Sequence, residues 1–313
     1  MTAKLARTIT WKSSKQTYYT ARLLVDPGMK DDCYRAYSYF RWVDDVIDEE
    51  CPTQAERLAF IQRQSDLVGG LRRGERHGDL APEEQLIADL VEHQREKNRK
   101  LHSYVSNFLA LLAFDARRKG RLISRDELVW YSERLGVAVT DAIQHFIGHG
   151  HLYPEDERRY KAAIAAHIVH MLRDMLGDIQ AGYINIPCEY LADKEIDSRC
   201  IEPSALRPWV HDQIELARRY FAKGKEYLNT LDVLRCKLAG HLYCLRFEGA
   251  MQAIEADDYL LRAAYPGRGM LKSLSKVIWL FVTISLQHLG QRVRRVFREQ
   301  PSVSAAPETG MFH

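Results

Sequence analysis

Tyr37-Ser38-Tyr39-Phe40-Arg41-Trp42-Val43-Asp44-Asp45-Val46-Ile47-Asp48-Glu49 decides the reading of this chain, with its counterpart far downstream, Arg173-Asp174-Met175-Leu176-Gly177-Asp178. Asp44 and Asp48 are four residues apart, and so are Asp174 and Asp178. On a helix such residues lie one above the other on one face, where like charges repel. A cation between them removes that cost. Two such ladders facing one another would form a cage for hard cations that prefer oxygen ligands. Magnesium in such a cage keeps several waters and takes its other ligands from substrate phosphates. Asp44 stands among Phe40, Trp42, Val43, Val46 and Ile47, and Asp174 among Met171, Leu172, Met175 and Leu176. Carboxylates set in apolar helices are costly unless paired or metal-bound, so a functional role outweighs a solvated helix face. Asp45, about 100° round the helix from Asp44, is the weaker ligand candidate.

Outward from the motifs the pattern is helical. Apolar residues recur at spacings of three and four over Tyr18–Val25, Cys33–Ile47, Leu58–Leu71, Leu86–Phe114, Leu128–Ile147, Tyr160–Ile179, Leu206–Leu231, Leu234–Leu261 and Met270–Val296. Sustained two-residue alternation is absent, so a sheet is not expected. Ser124-Arg125-Asp126-Glu127 has capping-box spacing and predicts a helix start. The Pro and Gly breaks punctuate a bundle rather than separate domains. The expectation is an all-α, single-domain helical bundle over residues 1–300, with Pro301–His313 a frayed tail.

Composition narrows the function. The 313 residues are 46% hydrophobic with a net charge of only +3, so no overall field favours nucleic acid. Cys33, Cys51, Cys188, Cys200, Cys236 and Cys244 show neither CxxC spacing nor a zinc pattern with histidine. Reduced thiols in the cytoplasm are the expectation. The N-terminus lacks the apolar core of a signal peptide, and no segment is apolar for long enough to span a bilayer. The apolar run Val277–Leu286, followed by Arg292, Arg294, Arg295 and Arg298, suits peripheral contact with an anionic membrane, although a terminal bundle helix with a solvated basic end accounts for it somewhat better. His145, His149 and His151 are expected to be solvated at a helix end.

The stretch Tyr37 to Asp48 resembles the first motif of the squalene/phytoene synthase family, which joins two allylic prenyl diphosphates head to head. Met171 to Pro187 resembles the second. Ser14-Lys15 resembles the family's diphosphate-contacting N-terminal segment, and Tyr131, followed by Gly136 and Ala138, its central helix. The resemblance covers residues 13 to 265 and implies an isoprenoid synthase-type bundle around a central cavity. It departs at His167 and His170, where amides are usual, at Gly177 in place of an acid, and at Tyr183 in place of an arginine. The run after Tyr131, Leu135 to Thr140, also departs from the family's glycine-containing pattern.

The roles follow from residue chemistry and resemblance together. Asp44, Asp48, Asp174 and Asp178, with Asp45 secondary, are expected to hold Mg²⁺ or Mn²⁺. Arg41 shares the face of Asp44 and can grip diphosphate oxygens, and Arg173 borders the second ladder. Ser14 and Lys15 would close over the phosphates. Among the aromatic residues Tyr37, Phe40, Trp130, Tyr131, Phe146, Tyr243 and Phe247, Tyr37 and Tyr131 are singled out to face a carbocation. His170 and His167 share the face of Asp174, and a role as metal neighbours, diphosphate donors or a base for a carbocation proton weighs equally against core packing. The expected partner is farnesyl or geranylgeranyl diphosphate. Single-substrate terpene synthase chemistry is the alternative, and a non-catalytic prenyl-diphosphate binder the third reading.

Overall fold

A computed structural model describes residues 2–94, 99–263, 265 and 270–299. The expected tail, 301–313, lies outside the described residues. The chain divides into two compact units, Met1–Arg268 and Gly269–His313.

The first unit is a helical bundle. Its helices are α1 (Thr2–Ser13), α2 (Lys15–Leu24), α3 (Lys30–Asp45), α4 (Gln54–Arg73), α5 (Glu84–His93), α6 (Arg99–Arg118), α7 (Arg125–Phe146), α8 (Lys161–Gln180), α9 (Cys188–Asp193), α10 (Arg207–Thr230) and α11 (Leu234–Ala256). The second unit contains α12 (Met270–Glu299). Helix α7 starts at the predicted capping box, with Ser124 accepting from the Glu127 amide and Glu127 from the Ser124 amide. The single stretch expected over Leu86–Phe114 divides into α5 and α6, and α1 extends the helical region further towards the N-terminus than the periodicity indicated.

Helix α8 is central because its N-terminal half is apolar on nearly every side. Ala162, Ala163, Ile164, Ala165, Ala166, Ile168, Val169, Met171 and Leu172 are all buried, the mark of a helix enclosed by others. It packs against α7, α10 and α11. Two glycines permit the closest approaches. A Cβ on Gly136 of α7 would come within 2.5 Å of Ile164 Cγ1, and one on Gly224 of α10 would overlap the backbone of Ala162.

One expectation needs correction. A parallel two-stranded ladder pairs β1 (Leu122–Ile123) with β2 (Ile184–Pro187). It is too short to leave a two-residue alternation in the sequence. The Gly120 amide also donates to the Gly182 carbonyl at 2.8 Å. Gly182 has φ +91, a conformation that costs glycine little. These contacts fasten the segment after α8 to the end of α6.

Candidate active site

The first acidic motif begins on α3 and ends in a different helix type. Tyr34, Ala36, Ser38, Tyr39, Phe40 and Val43 are buried, which leaves Tyr37, Asp44 and Asp45 half-buried and Arg41 exposed on the other face. After Asp45 the chain widens into a π-helical turn, Val46–Glu50, in which the Cys51 amide donates to the Val46 carbonyl at 3.1 Å. Pro52 cannot continue the ladder. Asp48 therefore lies in a π turn rather than on the regular α-helical ladder expected; single π turns are common at functional sites.

The carboxylates are unequal. Arg41 pairs with Asp45 and lies 3.5 Å from Asp44. Burial, then the charge of Asp48, pushes the Asp44 carboxyl up to about 7. On α8, Arg173 clasps Asp174 through both Nε and Nη2 at 2.6 Å, and His170 Nε2 lies 2.9 Å from its Oδ2. Burial would raise Asp174, but the hydrogen bonds from Arg173 and His170 outweigh it and hold the group well below the carboxylate range. Asp178, raised by burial and by Asp174, titrates at about 6, although Asn185 donates to it at 3.0 Å. Each motif thus holds one carboxylate paired with arginine and another whose charge is resisted.

The two motifs meet through residues that the sequence reading did not assign. The Tyr183 hydroxyl, delivered by the loop between α8 and β2, donates to Asp48 Oδ1 at 2.6 Å. Lys119 donates to the Asp48 carbonyl at 3.1 Å. Behind them Asp115 accepts from Arg118 Nε at 2.7 Å and from the Tyr131 hydroxyl at 2.8 Å. The Arg118 guanidinium lies 5.0 Å from the Tyr183 ring centre and 5.5 Å from that of Tyr131. Burial raises Asp115, an effect that Arg118 and Tyr131 oppose. Where the family pattern has an arginine, Tyr183 stands instead, and Arg118 and Lys119 bring cations to its ring from α6 and the turn after it.

A second cluster joins α2, α3 and α11. Burial raises the Tyr37 hydroxyl, and a hydrogen bond with Ser14 opposes this. Ser14 also caps α2 by accepting from the Thr17 amide. Arg246 of α11 donates to Gln16 at 2.7 Å. Burial and the neighbouring Arg173 charge lower its pKa. Its signal in the sequence is faint: one arginine in the apolar run Leu242-Tyr243-Cys244-Leu245-Arg246-Phe247.

Other expectations divide. Lys15 rests over the Trp11 ring, 3.0 Å from its centroid, rather than beside the carboxylates. Tyr131 is spent on Asp115. Phe247 stacks near His170, at 5.7 Å, and beside Tyr243, so these two aromatics border the second motif. Phe40 and Phe146 are core residues. Trp130 packs on Phe114. His167 packs on Tyr131 at 5.3 Å, and burial drives its pKa down to about 3. His145 is buried, not solvated as expected, packed edge to face on Phe146 at 4.7 Å, and burial lowers its pKa to about 4.

Among the described residues no three His, Cys, Asp or Glu side chains converge closely enough to cage a metal as they stand. The carboxylates are instead tied to Arg41, Arg173, His170, Tyr183 and Asn185. Their chemistry nonetheless fits a hard cation. All are oxygen donors, and Asp44 and Asp178, raised first by burial and then by a neighbouring aspartate, are groups whose charged form such an ion would favour.

An all-α bundle in which two aspartate motifs are joined through Tyr183 fits the isoprenoid synthase fold. The squalene/phytoene synthase family model matches residues 11–270, and the chain belongs to that family. It is accordingly a prenyltransferase acting on prenyl diphosphates. A presqualene diphosphate synthase from Rhodopseudomonas palustris is 25% identical over 220 residues, spanning 68% of this chain and 74% of the relative. A dehydrosqualene synthase crystal structure with a bound ligand superposes with a TM-score of 0.67 at 15% identity, covering 91% of this chain and 95% of its own. The squalene synthase HpnC from Alicyclobacillus acidocaldarius gives 0.63 at 19% identity, covering 83% and 95%. Both share the fold.

Proposed function

We propose that this enzyme joins two C15 or C20 allylic prenyl diphosphates head to head and releases pyrophosphate. The observation that supports the reading is the junction of the motifs: Tyr183, in the segment that follows Asp178, donates to Asp48. Asp44, Asp48, Asp174 and Asp178, with Asp45 at the edge, would hold Mg²⁺ or Mn²⁺. Such an ion supplies positive charge for the leaving diphosphate.

The chain's own groups do the rest. Arg41 and Arg173 pair with carboxylates of the two motifs, and their guanidinium groups are placed to grip diphosphate oxygens as bidentate donors. Arg246, near Tyr37 and Arg173, adds charge on the α11 side. Ser14 orients Tyr37, and Lys15 would leave Trp11 to reach the phosphates. Heterolysis sends the C–O electron pair to the diphosphate and leaves an allylic cation. Tyr37, Tyr243 and Phe247 offer ring faces to it and exclude water. Tyr131, held by Asp115, is a positioning residue in this scheme.

Single-substrate terpene chemistry is the second reading, and one observation favours it: His170, bonded to Asp174 beside Phe247, is an imidazole where proton removal would end such a reaction. The non-catalytic reading has no comparable support.

Membrane contact through α12 belongs to the same proposal. Ile278, Val282, Leu286, Leu289 and Val293 are exposed at helical spacing, with Trp279 beside them. No described helix is long and apolar enough to cross a membrane.

Incubation with farnesyl or geranylgeranyl diphosphate plus Mg²⁺, with mass analysis of products and measurement of released pyrophosphate, tests the proposal. Products of doubled carbon number support condensation. Products of unchanged carbon number favour the terpene reading, and no pyrophosphate release refutes both.

A further inference from the structure

The N-terminal hairpin has a charge balance unlike the rest of the molecule. Residues 2–25 contain Lys4, Arg7, Lys12, Lys15 and Arg22 and no Asp or Glu. The whole chain is +3, so a hairpin of +5 leaves the remainder at −2. Arg7 is matched by Asp31 at 2.6 Å. Among the described residues Lys4, Lys12, Lys15 and Arg22 have no ion-pair partner, and all four are exposed.

This charge surrounds exposed aromatic and aliphatic surface. Helix α1 turns Ala6 and Thr10 inward against α3, and α2 turns Ala21 and Leu24 inward. The outer faces carry Trp11, 41% exposed, Tyr19, 47%, and Leu23, 66%. Trp11, Tyr18 and Tyr19 pack edge to face at 4.9 to 5.9 Å. Between the helices lies a shallow cleft of about 700 Å³, lined by these rings and by Lys4, Arg7 and Arg22. Folding does not require such residues outside: the helices are already anchored by their inner faces.

We propose that the α1–α2 hairpin docks on the surface of an anionic phospholipid bilayer. Trp11, Tyr19 and Leu23 enter the headgroup layer, where amphipathic rings are stable. Lys4, Lys12 and Arg22 face the lipid phosphates, each worth about 1 kcal/mol near such a surface, while Lys15 stays with the site. The turn at Ser14, beside Tyr37, then lies next to the membrane, and a water-insoluble chain has a short path between bilayer and site. This contact is electrostatic as well as apolar, unlike the apolar stripe of α12, and it does not rest on the reaction proposed above.

Sedimentation of the full chain with vesicles of phosphatidylcholine, alone or mixed with phosphatidylglycerol, tests it at low and high salt. Wild-type protein should prefer the mixed vesicles, and salt should weaken that preference. Lys12→Gln with Arg22→Gln should lower partitioning onto mixed vesicles roughly thirtyfold, at about fivefold per charge, and leave binding to neutral vesicles and the melting temperature unchanged. Tyr19→Ser with Leu23→Ser should weaken binding to both vesicle types. Absence of any preference for phosphatidylglycerol, or unchanged partitioning of the charge variant, overturns the proposal. So does abolition of all binding by Val282→Ser with Leu286→Ser, which would place the contact on α12. Pyrophosphate release assayed in detergent keeps the result separate from failure of the catalytic reading.

Discussion

Replacing Arg118 by leucine should expose how strongly the site depends on a pair that lies outside both aspartate ladders. The Arg118 and Asp115 side chains are 6% and 14% exposed, with Nε–Oδ1 at 2.7 Å. Arg118→Leu leaves the Asp115 carboxylate buried with the Tyr131 hydroxyl as its remaining donor. Removing one partner of a buried ion pair costs about 3–5 kcal/mol, a large part of the 5–15 kcal/mol typical of a folded domain. The sign with pH follows from the raised Asp115 carboxyl, which loss of Arg118 raises further. A carboxyl whose pKa is higher folded than unfolded favours the fold while protonated; that contribution disappears as pH rises through the folded pKa. Urea unfolding followed by circular dichroism should therefore show a smaller deficit for the variant at about pH 5 than at about pH 8. Asp115→Asn added to Arg118→Leu should recover much of the loss, because no buried charge remains. A deficit under about 1 kcal/mol, equal at both pH values and not rescued by the second substitution, would refute the assignment of a buried, coupled pair.

Asp48→Ala and Asp178→Ala should each abolish metal-dependent pyrophosphate release while the metal-free protein keeps its helical circular dichroism; wild-type turnover in either would exclude it as a required ligand. His170→Asn should slow the reaction or shift its product masses towards doubled carbon number, and an unchanged profile would make the histidine a partner of Asp174 only. Gly224→Ala should destabilise by about 1–3 kcal/mol or more and more than Gly136→Ala, since the first abuts the backbone of Ala162 and the second the flexible Ile164 side chain; urea unfolding ranks them.

The acidic motifs were legible because their spacing is local. Asp44 and Asp174 are conspicuous among apolar neighbours, and the Ser124 capping box marks the start of α7 from four consecutive residues. What the sequence concealed lies in contacts between distant segments. Nothing near Tyr183 indicates that its hydroxyl reaches Asp48, and Asp115-Ala116-Arg117-Arg118 reads as an ordinary polar helix end until Tyr131 is placed above it. The π turn was hidden for a related reason: its residues fit an α-helix equally well, and only the Val46–Cys51 hydrogen bond distinguishes them. Lys15 was assigned from resemblance, whereas the ring it rests on, Trp11, lies on a helix that the periodicity did not delimit.

The two glycine contacts on α8 have a mechanical consequence. With Ala162 against α10 and Ile164 against α7, α8 can neither slide along its neighbours nor turn about its axis without steric overlap, since close-packed interiors deform little. Asp174 and Asp178 are mounted on the stator of this machine. The other jaw ends in a π turn capped by Pro52, a stretch with a looser hydrogen-bond pattern and three exposed acids, Asp48, Glu49 and Glu50. Under the proposed reaction, substitutions in that π turn are expected to change which chain lengths are accepted, read as product masses, whereas those at the Gly136 and Gly224 contacts of α8 will cost stability first.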